Sequence, residues 1–237
     1  MIQPAQSDTA ATVRASFAAL LVVLACSHAA NAQQRRPDTF VDAATVVPNL
    51  AVEMRYAGAH NFVGRPITGY EAPVCLLSRQ AAAALASVAR DLAAQGLGLK
   101  VFDCYRPARA VAHFMRWARD LRDTAGKAEF YPDVDKRTLF RDGYIASHSG
   151  HSRGSTIDLT LIRLADKSDV DMGTPFDLFS PRSSGSDRSV GTQAAANRAL
   201  LAQAMRRGGF YPYGKEWWHF TLRGEPFPST YFDFPVK

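Results

Sequence analysis

The sequence predicts an α+β fold: capped helical stretches and short strand-like runs both occur, and they do not alternate as a doubly wound parallel sheet requires. A first helix is read in "RQAAAALASVARDLAAQ" after Ser78. Alanine and leucine favour helix, the serine suits an N-cap, and Gly96 stops the run. "LGLKVFD" (Leu97 to Asp103) then reads as a strand. Pro107 fits the first turn of a second helix, "PARAVAHFMRWARDLRD", with Val111, Phe114, Met115 and Ala118 on one face. In the strand-like "STIDLTL" (Ser155 to Leu161), Ile157, Leu159 and Leu161 face one side and Thr156, Asp158 and Thr160 the other. That polar set suits a site or a solvated face equally. Phe179 to Gly191 and Phe210 to Gly214 are rich in Gly, Pro and Ser and read as loops. Between them Thr192 is placed to cap a third helix, "QAAANRALLAQAMRR", ended by Gly208-Gly209. "WHFTL" (Trp218 to Leu222) is the last strand.

Residues 1–32 have the pattern of an export leader. Arg14 supplies a positive n-region, Phe17 to Ala25 is a short apolar core, and "ANA" at Ala30 to Ala32 matches a small-x-small cleavage site. The apolar run is too short to span a bilayer comfortably, which sets a transmembrane anchor aside. The alternative is "VLAC" ending at Cys26, which would leave a lipid-anchored cysteine. The expectation is an exported, periplasmic protein that starts near Gln33, with residues 33–237 forming one domain. The formal charge of +6 survives cleavage, because Asp8 and Arg14 leave together. Basic residues are scattered rather than gathered into a stripe, which argues against a nucleic-acid partner. Cys75 and Cys104 remain, and an even pair in an oxidising compartment suggests a disulfide, with two buried thiols as the alternative.

The chain has six histidines, of which His28 leaves with the leader. His113 lies in a helix beside hydrophobic residues, and His60 sits in a loop with no partner spacing. His148, three before His151 in "SHSGHS", competes as a metal ligand, but the serines and glycines around it argue for loop. His151 and Asp158 are seven apart, and Glu216 and His219 three apart. Seven residues of continuous strand would separate His151 from Asp158 by roughly 23 Å, whereas zinc ligands lie within a few ångströms of one another. The chain must therefore turn at Ser152 to Ser155, where Gly154 permits it. Likewise, a bend near Glu216 is needed for it and His219 to share a site. Spacing alone leaves a metal site and a bland reading evenly matched.

"HSRGSTIDLTL", "EWWH", "DCYRP", "MGTPFD" and "RYAGAHNFVGRPITGY", in the family's order, resemble the VanX-type zinc D-alanyl-D-alanine dipeptidases. Their wider group of zinc D,D-peptidases shares a fold with the hedgehog signalling domain, so the resemblance implies a mainly antiparallel central sheet with flanking helices. It implies one zinc ion held by His151, Asp158 and His219, with Glu216 as catalytic base and Arg106 assisting the transition state. Asp177 is similar to the acidic residue that receives the substrate's ammonium, and Tyr56 and Ser149 look like further substrate contacts. The sequence departs from the pattern at Gly150, where a serine is expected.

The chemistry fits these residue types. A three-ligand zinc keeps a position for water and lowers its pKa to about 7. A carboxylate off the metal takes the proton and hands it to the leaving amine, and an arginine suits the oxyanion. The sequence-level reading is an exported zinc dipeptidase acting on D-Ala-D-Ala. The alternatives are a D,D-carboxypeptidase or endopeptidase on wall peptides, and a non-catalytic wall-peptide binding module.

Overall fold

The computed structural model describes residues 35–237; the leader expected at 1–32, with Cys26, lies outside the described residues. In chain order the elements are β1 (Phe40–Asp42), β2 (Ala51–Val52), β3 (Leu76–Ser78), α1 (Arg79–Ala93), β4 (Leu97–Asp103), α2 (Ala108–Arg119) and α3 (Lys127–Phe130). They continue with β5 (Thr156–Arg163), α4 (Thr192–Arg207), β6 (Phe210–Pro212) and β7 (His219–Leu222). A five-stranded sheet runs β2-β4-β5-β7-β6, antiparallel except where β2 joins β4, and β1 pairs with β3 in a separate ribbon. Among the described residues no helix is long and apolar enough to cross a membrane.

Why β5 holds the centre follows from its composition. Both alternating sets are buried: Ile157, Leu159 and Leu161 on one face, and Thr156, Asp158 and Thr160 on the other. The polar face is therefore covered rather than solvated, and a buried carboxylate there needs partners. Helix α1 packs on β4 and on α4. Its alanines let it lie close, and the Ser78 hydroxyl caps it by accepting from Ala81 N at 3.3 Å.

Three expectations are corrected. Phe210 to Gly214 is not all loop, because Phe210–Pro212 pairs with β7. It forms the sheet edge, where a proline's missing donor is tolerated. Thr192 does not cap α4 but is its first residue; Gly191, at φ 94°, holds the cap position without a side-chain bond. The second helix ends at Arg119 rather than running on through "DLRD". There the buried Lys136 ammonium donates to the carbonyls of Trp117, Asp120 and Asp123 at 2.6, 2.7 and 2.7 Å. A cation in this position satisfies one carbonyl of the helix's last turn and two just beyond it, and complements the helix dipole.

Cys75 and Cys104 form a disulfide with Cα atoms 5.3 Å apart, and both are fully buried. The bond ties the entry to β3 to the exit of β4, two residues before Arg106.

Candidate active site

The register of the sheet assembles the site. Asp158 on β5 pairs with His219 on β7 and with Asp103 on β4, so three strands present these side chains on one face. His151 arrives by the predicted turn: residues Gly150–Arg153 form one 3₁₀ turn, capped by the Ser149 hydroxyl, and Gly154 reverses the chain at φ 79°. That left-handed backbone favours glycine, and a Cβ there would also strike the Phe40 ring. Glu216 stands in the turn between β6 and β7. Its carbonyl accepts from His219 N, and its Oε2 lies 3.4 Å from His219 Nδ1.

His151, Asp158 and His219 offer ligand atoms that all lie within 4.8 Å of one another. His151 Nδ1 donates to the Cys104 carbonyl at 2.7 Å, which leaves Nε2 as a lone-pair donor toward the cluster. His151 Nε2 and His219 Nδ1 are 3.3 Å apart. Two nitrogens bound at 2.0–2.1 Å to a tetrahedral zinc would be separated by about 3.3 to 3.4 Å. Asp158 is 2% exposed and its Oδ1 accepts no well-directed hydrogen bond, although His219 Nδ1 is 3.0 Å away. A buried carboxylate oxygen without a donor, facing two imidazole nitrogens, fits a divalent cation. Cys104 carbonyl and Asp103 are the parts that sequence reasoning missed. Asp103 is fully buried, accepts from Tyr70 Oη and Arg106 Nε at 2.6 and 2.9 Å, and lies 3.5 Å from His151 Nδ1. Its only sequence signal is a carboxylate three residues ahead of Arg106 at the end of a strand.

Of this cluster, Asp158 and His219 open onto a cavity of about 270 Å³ that also takes in Tyr56, Arg106, His148, Ser149, Asp177 and Glu216. Arg106 lies over the adjoining Tyr56 and Phe114 rings, 5.1 and 5.2 Å from their centroids, with Nη2 3.6 Å from Asp158 Oδ2. It is at once a partner of Asp103 and a wall of the cavity. Tyr56 donates to Asp177 Oδ2 at 2.8 Å. Asp177 is 6% exposed and adopts φ 62°, a left-handed conformation that aspartate tolerates at some cost. His148 is exposed beside Tyr231 and outside the ligand cluster. His60 bridges Arg55 and Glu129 at the surface, and His113 accepts from Thr68 N.

The cavity gathers three carboxyl groups, Asp158, Asp177 and Glu216, beside Arg106 and His219. Burial resists ionisation of Asp158, but the two histidines beside it hold the carboxyl below the usual range. Burial likewise lowers His219, and the Asp158 carboxylate more than restores it, leaving the ring more basic than usual. Burial holds the Glu216 carboxyl above its ordinary value; His219 opposes this and Asp158 adds to it. For Asp177, burial reinforced by the field of Asp158 pushes the carboxyl well above the carboxylate range, despite the Tyr56 hydrogen bond.

A stability prediction follows from Asp177. Because its folded-state pKa is raised, its contribution to stability is intact below the unfolded value of about 3.9 and is lost as pH rises through the folded one. Asp177→Asn keeps an acceptor for Tyr56 and never ionises. Without substrate, its Tm is expected to exceed that of wild type by an amount that grows from pH 5 to pH 8, at about 2 to 4 °C per kcal/mol relieved. A lower Tm at pH 8 contradicts the sign.

Gly150 also has a physical reason. A Cβ at this position would come within 2.7 Å of Thr156 Oγ1, which is itself bonded to Thr221 Oγ1 at 2.9 Å. The threonine on β5 occupies the room that a serine side chain would need.

A family model described as D-ala-D-ala dipeptidase matches residues 36–237. The chain is 42% identical over 199 residues to a D-alanyl-D-alanine dipeptidase of Enterococcus faecium, covering 84% of this chain and 98% of that one. It is 42% identical over 197 residues to one of Streptomyces coelicolor, covering 83% and 96%. Against one of Escherichia coli it is 37% identical over 182 residues, covering 77% and 83%. With its α+β fold and a His/Asp/His cluster opening on a pocket, the chain is a peptidase that belongs to the D-Ala-D-Ala dipeptidase family.

Proposed function

We propose that this chain is an exported zinc dipeptidase that hydrolyses D-Ala-D-Ala, with residues 33–237 as its mature catalytic domain. The observation that carries the reading is the convergence, at one cavity, of a cluster of three lone-pair donors, a carboxylate beside it that is not one of the three, and an aspartate suited to an amine. The leader pattern at 1–32 and the Cys75–Cys104 disulfide support export to an oxidising compartment.

His151, Asp158 and His219 are the proposed zinc ligands, and a zinc ion bound there supplies a Lewis acid and a water acidic enough to ionise near neutral pH. Glu216, beside His219 and bound to none of its neighbours as a ligand, takes the proton from the attacking water and delivers it to the leaving amine. Its burial raises its basicity for that task. Arg106, fixed by Asp103, offers a permanent positive charge to the oxyanion that develops on the scissile carbonyl. Asp177 receives the substrate's ammonium, assisted by Tyr56, and Ser149 lines the same cavity. The ammonium supplies the cation that the buried Asp177 carboxyl otherwise lacks.

Comparing kcat/KM for D-Ala-D-Ala, N-acetyl-D-Ala-D-Ala and L-Ala-L-Ala tests this reading. Acetylation leaves Asp177 buried without its cation, so the free D,D-dipeptide is expected to be strongly preferred over both analogues. Asp177→Asn should shrink the preference over the acetylated form chiefly by slowing the free dipeptide, with zinc content unchanged. Equal or faster cleavage of the acetylated compound by wild type would move the activity to a D,D-carboxypeptidase.

A further inference from the structure

Arg198, on α4, is 1% exposed and lies outside the cavity. Its guanidinium donates to four uncharged acceptors: from Nε to Met172 O at 2.7 Å, from Nη1 to Arg182 O and Ser184 O at 2.8 Å each, and from Nη2 to Thr174 Oγ1 at 2.9 Å. A cation buried on neutral acceptors is a costly arrangement, and what it holds in place is specific. The four bonds grip both ends of the segment from Met172 to Ser184. In the middle of that segment stands Asp177, in its left-handed backbone.

Thr174 Oγ1 accepts a second bond, from Trp217 Nε1 at 2.9 Å, and Trp217 N donates to Ser183 O at 2.9 Å. Trp217 directly follows Glu216. One buried oxygen therefore joins α4, the segment that carries Asp177 and the turn that carries Glu216. Within the segment, the Phe176 ring stacks on Phe102 at 4.6 Å and meets Trp218 edge-on at 5.3 Å, so aromatic packing adds to these hydrogen bonds.

We propose that Arg198 and Thr174 act as a clamp that fixes the spacing between Asp177 and Glu216, and are positioning residues for selection of a free dipeptide amine. This rests on the reading of Asp177 as the amine site and Glu216 as the base. In D-Ala-D-Ala the ammonium sits on the carbon next to the scissile carbonyl. Asp177 and the base must consequently be set at a fixed short distance, and an error of about 1 Å costs up to about 100-fold in rate.

The test uses zinc-loaded mature enzyme and the variants Thr174→Val and Thr174→Ser. Valine keeps the shape and removes the shared acceptor, while serine restores it; Arg198→Met serves as a harsher third variant if it folds. The ratio of kcat/KM for free over N-acetylated D-Ala-D-Ala is expected to fall by about 10-fold or more in Thr174→Val and to recover in Thr174→Ser, with zinc stoichiometry unchanged. A merely structural loss lowers both substrates together and leaves the ratio intact. Hydrogen exchange over residues 172–184 is followed in the same samples and is expected to accelerate in Thr174→Val. A wild type that prefers the free amine, with ratio and exchange unchanged in Thr174→Val, overturns the clamp. A wild type without that preference, but with exchange accelerated in the variant, overturns Asp177 as the amine site and leaves the clamp as the device that holds its loop.

Discussion

Glu216→Ala is expected to give a folded, zinc-loaded protein whose kcat for D-Ala-D-Ala falls by about 10² to 10⁴-fold, the range that a positioned proton carrier supplies. The side chain is placed for removal without collapse. It sits in a turn, and its Oε2 is 3.4 Å from His219 Nδ1, while the three ligand atoms belong to other residues. Deleting it takes away a proton acceptor and relieves a carboxyl that burial makes costly to ionise, so Tm should not fall. Because proton transfer belongs to the transition state, the loss should appear in kcat rather than KM. Glu216→Gln should behave alike, since an amide keeps the shape and cannot accept the proton. An unchanged kcat in both variants contradicts the assignment, and loss of zinc would make Glu216 a ligand instead.

His151→Ala is expected to abolish stoichiometric zinc binding, whereas His148→Ala keeps it. His151 is fully buried, and its ring is oriented by the bond from Nδ1 to the Cys104 carbonyl, so Nε2 points at Asp158 and His219. Losing an outer partner of a metal ligand typically costs 10- to 100-fold in affinity, and losing the ligand itself should cost more than about 100-fold. His148 is exposed and sits at the cavity rim against Tyr231. The pair of variants therefore separates a site defined by the strand register from one defined by the "SHSGHS" spacing. Full zinc occupancy in His151→Ala contradicts the register-based cluster.

The long elements were legible because their signals are local. Ser78 and Gly96 bracket α1, and alanine content carries α4. The short ones were not: β2 is two residues long and has no period to detect, and β6 is disguised by Pro212 at the sheet edge. At the site, the sequence required a turn between His151 and Asp158 and a bend at Glu216, and both are present. What spacing could not convey is the cross-strand register. Asp158 faces His219 and Asp103 only because β5 lies between β7 and β4. The same holds for the Cys104 carbonyl, whose role depends on its position in space and not on the identity of its side chain. Arg198 is the extreme case, since nothing in "QAAANRALLAQAMRR" distinguishes a buried hub from a solvated helical arginine.

Titrating zinc into chelator-stripped mature protein while following D-Ala-D-Ala hydrolysis tests the central claim most directly. The stripped protein should be inactive, and activity should rise linearly and saturate at about one zinc per chain, the stoichiometry of a mononuclear catalytic site. Full hydrolysis by the stripped protein, or saturation without any hydrolysis, would contradict a zinc dipeptidase built on His151, Asp158 and His219.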